Sequence, residues 1–281
     1  MGGDRYEIRT TTEVCRFDGH HALAACSLRF GIGPPAQWLP LPGYRKHVAL
    51  PLAAAMTPPI TVRIWDLPTR IFHWALAICV VALVVTAKVG GNAMDWHFRF
   101  GYSMLALLVF RIVWGLIGGR WSRFTAFVYS PARVMRYLRG AGGAGDSVGH
   151  SPLGALSVFG LLGVLVAQVA SGLLSDDEIA FSGPLTRFVS NATVNLATGY
   201  HKEIGQFLVL GLVALHILAI VFYVVVRKQA LVKPMVIGDK PLPATTKPSR
   251  DDAVSRAAAL VVLALSAWLA WWVSSLAAAG F

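Results

Sequence analysis

The sequence predicts an all-α integral membrane protein, a four-helix transmembrane bundle with a fifth transmembrane helix at its C-terminal end. Three observations predict it. The 281 residues are 56% hydrophobic and only 14% charged, where soluble domains carry roughly 25% charged residues. Five apolar runs, near 71–89, 98–118, 153–174, 203–226 and 257–279, approach or exceed the ~20 helical residues that cross a hydrocarbon core. None alternates with the period of two of a barrel strand, and helices satisfy their own backbone polar groups in lipid.

Residues 1–55 stand apart. They hold no sustained period and lack the basic start and apolar core of a signal peptide. Met56 opens "MTPPITVRIWDLPTR", which leads directly into the first run. The leader is therefore expected to be unstructured, or to reflect a start codon placed too far upstream, and Cys15, Cys26, His20, His21 and His47 receive no role. Residues 56–240 form the helical domain, 241–256 a cytoplasmic linker and 257–281 the extra helix.

The connections orient the spans. Arg120, Arg123, Arg133, Arg136 and Arg139 lie between the second and third runs, opposed only by Asp146; Arg227, Lys228, Lys233 and Lys240 follow the fourth. Asp176, Asp177 and Glu178, with Arg187 the single cation, lie between the third and fourth. The positive-inside rule places the basic loops and the N-terminus in the cytoplasm and the acidic loop and C-terminus outside. The net charge of +11 is thus a matter of membrane orientation, not nucleic-acid binding. "GAGGAG" at 140–145 satisfies G-x-G-x-x-G but lacks the flanking strand and helix of a dinucleotide site, and reads as a flexible linker. The acidic loop is either a solvated cap or a dock for a basic partner.

Each span places its histidines at a depth. His73 starts the first span on the cytoplasmic side and His97 starts the second outside. His201 lies at the outer end of the fourth, and His216 about 22 Å further in at ~1.5 Å per residue. Two levels result, His97 with His201 and His73 with His216. At ~100° per residue the two histidines of the fourth span are turned about 60° apart, so each faces a different neighbour. Buried imidazole pairs are what six-coordinate haems require, one nitrogen on each side of the iron, although imidazole also suits Zn, Cu and Ni. No C-x-x-C-H occurs, which excludes covalent haem attachment. Arg111, near the depth of His216, either pairs with a haem propionate or extends to the headgroups. Cys79 is a small apolar residue of the first span. Gln168 is a polar group in the third span without an assigned partner.

The segments "WDLPTRIFHW" (65–74), "FRFGYSMLALLVFRIVWGLIGG" (98–119), "GHSPLGALS" (149–157), "DDEIAFSGPL" (176–185) and "LHILAIVFYVVVRKQALVKPMVIGDK" (215–240) resemble the bacterial cytochrome b561 and nickel–iron hydrogenase b-type cytochrome subunit family, in order, over roughly residues 60–240. The resemblance implies a bundle holding two haem b groups in the bacterial inner membrane. It implies electron transfer between a redox partner and the quinone pool of a respiratory chain, with quinone as a further ligand. The partner it implies is a soluble redox protein such as a c-type cytochrome, a dehydrogenase or a hydrogenase subunit. The family's iron ligands fall on His73, His97, His201 and His216. His150 matches a turn of the family that does not bind iron, and is expected to be structural or an interfacial hydrogen-bonding group. The fifth helix with "AWLAWW" (267–272) and residues 1–55 lie outside the resemblance. Three other readings accompany it: an oxidoreductase acting on superoxide or another small oxidant, a membrane anchor for a soluble redox enzyme, and a metal-ion transporter lined by the four histidines.

Overall fold

The computed structural model describes the backbone of residues 5–9, 13–18 and 25–28, and residues 59–143, 145 and 148–278. The chain divides into two units, 1–55 and 56–281, each taken by itself. Where the sequence predicts no regular structure, the first unit carries β1 (Arg5–Arg9), β2 (Glu13–Asp18) and β3 (Ala25–Leu28), paired antiparallel in that order. Strands of four to six residues are too short to stand out as a period along the chain; their pairing defines them. His20, His21 and His47 lie outside the described residues.

The second unit begins with β4 (Ile60–Arg63), followed by α1 (Leu67–Val89), α2 (Ala93–Ile117), the short α3 (Pro131–Leu138) and α4 (Pro152–Leu173). One continuous helix then combines α5 (Asn191–Gly199), a π-helical turn at Tyr200–Gly205 and α6 (Gln206–Val225). The chain ends with α7 (Val232–Ile237), β5 (Asp239–Leu242) and α8 (Ala253–Ala278). Among the described residues α1, α2, α4, Asn191–Val225 and α8 are long and apolar enough to cross a membrane.

Polar caps set where these spans begin, ahead of the apolar runs. Asp66 Oδ1 accepts the Thr69 amide at 2.8 Å, with Pro68 in the first turn of α1, and Ser151 Oγ accepts the Gly154 amide at 3.2 Å to open α4 at Pro152. These are ordinary N-caps. The fourth span starts at Asn191 under the Ser190 cap, its first turns too polar to register as membrane helix.

Helix α2 is central, packing along α1, α4 and α8, while α4 also packs along α6. Cys79 of α1, Met104 and Leu108 of α2, Leu165 of α4 and Val209 of α6 form one buried layer. It lies between the two histidine levels and closes the bundle with hydrocarbon there. Helix α8 meets the bundle with Ser255, Ala259, Ser266 and Ala270, all buried. Small side chains at helical spacing let two backbones approach closely in lipid, where packing replaces the hydrophobic drive.

A cap covers the basic end. Strands β4 and β5 pair antiparallel, Ile60 opposite Leu242 and Arg63 opposite Asp239, over a core of Val62, Ile64, Trp65 and Leu242. The following segment, expected to be a linker, is held down: Ser249 N donates to Arg63 O at 2.7 Å, Trp121 Nε1 to Lys247 O at 3.0 Å, and Leu67 N to Asp251 Oδ1 at 3.2 Å. Under the cap lies Asp66, with no exposed surface. Besides its cap bond it accepts from Trp114 Nε1 at 3.2 Å, Gly119 N at 3.2 Å and Ser122 Oγ at 2.6 Å. One carboxylate thereby ties the start of α1 to the end of α2.

Candidate functional site

At the acidic end, the second turn of α2 presents His97 and the π-helical turn presents His201. Their ring centroids lie 6.2 Å apart with planes at 87°. His97 Nδ1 meets Leu83 O at 3.0 Å and His201 Nδ1 meets Gln168 O at 2.9 Å. A carbonyl can only accept, so each Nδ1 carries the proton and each Nε2 carries the lone pair. That is the tautomer of a histidine that binds a metal through Nε2 while its other nitrogen is held by a carbonyl.

Both rings line a cavity of about 480 Å³ together with Phe98, Tyr102 and Val209, within the roughly 300–1,000 Å³ of cofactor pockets. Gly101, one turn after His97, also lines it, and a Cβ there would stand in open space. Metal–imidazole bonds of roughly 2 Å with a ring radius of about 1.1 Å on each side require centroids about 6 Å apart. The residues present therefore fit a haem, whose iron His97 and His201 would hold between them. Lys88 and Lys202 line the same cavity, and Lys88 Nζ donates to Gln206 Oε1 at 3.0 Å.

Toward the basic end stand His73, in the second turn of α1, and His216, midway along α6. Ser157 Oγ of α4 lies 3.3 Å from His216 Nδ1. His73 Nδ1 is buried without a hydrogen-bond partner among the described residues, and the ring packs edge-on against Trp74 with centroids 5.2 Å apart. A buried orphan nitrogen fits a site completed by a group the chain does not supply. Among the described residues no three His, Cys, Asp or Glu side chains are grouped to hold a metal ion.

The 60° offset expected between His201 and His216 assumes an α-helix throughout. The turn at 200–205 is π-helical, with wider turns that change the phase of everything before it, so that figure does not describe this helix. The structure brings His201 to His97 of α2, and His216 to Ser157 of α4.

Arg111 is buried, 3% exposed. Its guanidinium donates to Ser122 O at 3.1 Å and lies over the rings of Phe124 at 4.7 Å and Phe72 at 6.0 Å. Ser122, whose carbonyl accepts from Arg111, donates its hydroxyl to Asp66 at 2.6 Å. Sequence reasoning passed over Asp66 because it precedes the apolar run; the signal was present in Asp-Leu-Pro at a helix start. His150 is half-buried, with Trp65 at 4.6 Å and Phe127 at 4.3 Å between centroids, and its Nδ1 is buried with no partner among the described residues. Burial, then the nearby Arg111 and His73, push its pKa down to about 3. In the acidic loop Asp177 Oδ1 accepts the amides of Phe181, Ala180 and Ile179 at 2.8, 2.9 and 3.0 Å. Those bonds hold its carboxyl below the usual range and close the loop on itself.

The chain matches the prokaryotic cytochrome b561 family over residues 64–238. It is 27% identical over 135 residues to the probable Ni/Fe-hydrogenase 1 B-type cytochrome subunit of Escherichia coli K12, covering 39% of this chain and 57% of that protein's length. It is 26% identical over 213 residues to the probable Ni/Fe-hydrogenase B-type cytochrome subunit of Azotobacter vinelandii, covering 63% and 87%. No solved structure matches. With the family matched across α1, α2, α4 and the fourth span, and so across the three helices that carry the four histidines, the chain belongs to the prokaryotic cytochrome b561 family, helical membrane cytochromes of electron transport in which iron is held as haem b.

Proposed function

We propose that the protein holds two haem b groups, one between His97 and His201 and one between His73 and His216, and passes electrons between a redox partner and membrane quinone. Haem b supplies a one-electron centre whose potential the surroundings tune. The single observation that carries the reading is the pair of imidazoles at the acidic end, ring centroids 6.2 Å apart with both Nδ1 atoms hydrogen-bonded to carbonyls; His73 and His216 stand toward the other end of the bundle.

The chain's residues hold and insulate. Leu83 O and Gln168 O fix two ring orientations, and Ser157 is placed to do so for His216. The layer of Cys79, Met104, Leu108, Leu165 and Val209 keeps the space between the levels apolar, so neither histidine pair needs to exchange protons across it. Arg111, buried beside the His73–His216 end, compensates the charge of a propionate there. The basic end faces the cytoplasm of a bacterial inner membrane by the positive-inside rule, and the His97–His201 pair faces outward. The names of the E. coli and Azotobacter relatives support a hydrogenase subunit as the redox partner.

The test is a reduced-minus-oxidised optical spectrum of the purified protein with pyridine haemochrome quantitation. Two b-type haems per chain are expected. His97→Ala and His201→Ala should each abolish one haem, and His73→Ala and His216→Ala the other. Protein without haem after expression with ample haem supply overturns the reading. So does loss of the same single haem from the His73 and His97 variants.

A further inference from the structure

Helix α4 contributes no histidine to either pair, yet Gln168 on it meets His201 twice. Its backbone carbonyl accepts the ring Nδ1–H at 2.9 Å, and its side-chain Nε2 donates to the backbone oxygen of His201 at 3.1 Å. That oxygen belongs to the π-helical turn Tyr200–Gly205, where the widened turn alters the regular carbonyl ladder. Gly172, one turn along α4, makes room for the ring: a Cβ there would stand 2.8 Å from His201 Cε1 and 3.2 Å from Nδ1. From the other side, a Cβ at Gly205 would collide with Gln168 Oε1. Oε1 itself is buried without a hydrogen-bond partner among the described residues. An amide half-satisfied in an apolar span carries a desolvation cost, and the hydrogen bond the structure gives its side chain is the one to His201.

We propose that Gln168 is a positioning residue for His201: its side-chain amide holds the π-helical turn at the phase that turns the imidazole toward His97, while its carbonyl sets the tautomer. The inference rests on the reading of His97 and His201 as an axial pair. The hydrogen bond and orientation of an axial imidazole tune the metal it binds. A change at Gln168 therefore acts on one haem and leaves the other as it was.

Gln168→Met keeps the length and removes the amide. Electron paramagnetic resonance of the oxidised protein and a redox titration would be recorded for wild type, Gln168→Met, Gly205→Ala, Gln168→Ala and the Gln168→Ala/Gly205→Ala double variant. Gln168→Met is expected to retain both haems, shifting the signal and midpoint potential of the His97–His201 haem alone. Gly205→Ala should shift the same haem in the wild-type background and shift it less in Gln168→Ala, where the colliding amide is gone and only Tyr200 Cε1, 2.9 Å from the added Cβ, has to give. Unchanged signals in Gln168→Met, or equal shifts of both haems, overturn the proposal. If the wild-type protein carries no haem, the axial reading fails, and backbone amide exchange still decides the clamp. Residues 200–206 should exchange faster in Gln168→Met, and unchanged exchange there overturns it.

Discussion

Gly172 shows how little room the His201 ring has. Because a Cβ at 172 would meet Cε1 at 2.8 Å, Gly172→Ala must displace either the imidazole or α4. The backbone at 172 is ordinary helix, where alanine is favoured over glycine by about 1 kcal/mol, so the substitution pits helix propensity against the ligand. The expected outcome is a folded protein that loses or perturbs the His97–His201 haem and keeps the other, read by haem stoichiometry and the optical spectrum. His150 gives a residue-scale prediction of a different kind. Its pKa is about 3 in the folded protein, against 6.5 ordinarily, so the unfolded chain takes up a proton below about pH 6.5 that the folded chain refuses. Stability is therefore complete above pH 6.5 and falls as the pH drops toward 3, by at most about 1.4 kcal/mol per pH unit from this group. Denaturation of the protein in detergent between pH 4 and 8 should show this slope, and His150→Phe should flatten it by about one proton. Parallel slopes for the two proteins would show that His150 is not the group responsible.

At the scale of elements, the helices were legible because each span is a continuous apolar run, and the histidine levels were legible because depth along a helix is arithmetic. What sequence could not show has physical reasons. The π-helical turn arises from a local shift of hydrogen bonds at Tyr200–Gly205 that leaves no mark on composition. The β4–β5 sheet pairs Arg63 with Asp239, a contact between distant residues with no local period. Asp66 was outside every apolar run, yet its carboxylate joins α1 to α2. The polar turns of α5 extend the fourth span without looking like membrane. Helix α8 was predicted, but its place against α2 follows from Ala259 and Ala270, 5% and 3% exposed, which only become a packing stripe once the neighbour is known. Ala270→Leu should therefore wedge the two helices apart at about 1–3 kcal/mol. Because α8 carries none of the four histidines, both haem spectra should persist while the thermal transition in detergent drops. An unchanged transition would mean that α8 does not depend on this contact.

For the whole molecule, the five spans and the distribution of charge make one statement about orientation. Arg63 and Arg70 sit at the start of α1, Arg120 and Arg123 follow α2, Arg133, Arg136 and Arg139 lie on or after α3, and Arg227 and Lys228 follow α6. These cations gather at the end where β4 and β5 pair; Arg63 joins the two strands through Asp239 at 2.9 Å and bonds the tail into that cap through Asp251 at 3.4 Å. The opposite end carries Asp176, Asp177 and Glu178 with the cavity of His97 and His201 beside them. If lysine and arginine set topology, the His73–His216 pair lies on the cytoplasmic side and the His97–His201 cavity opens outward, where an extracytoplasmic electron donor would meet it. Alkaline phosphatase joined after α8 should be active in intact cells, whereas the same enzyme inserted at 140–143 should be inactive and a fluorescent protein there should mature. The reverse pattern would place the His97–His201 cavity on the cytoplasmic face and would send electrons from an outside donor first to His73 and His216. The two arrangements also differ in reduction kinetics: with an impermeant reductant added outside right-side-out vesicles, the haem absent from His97→Ala should be the first reduced in the wild type.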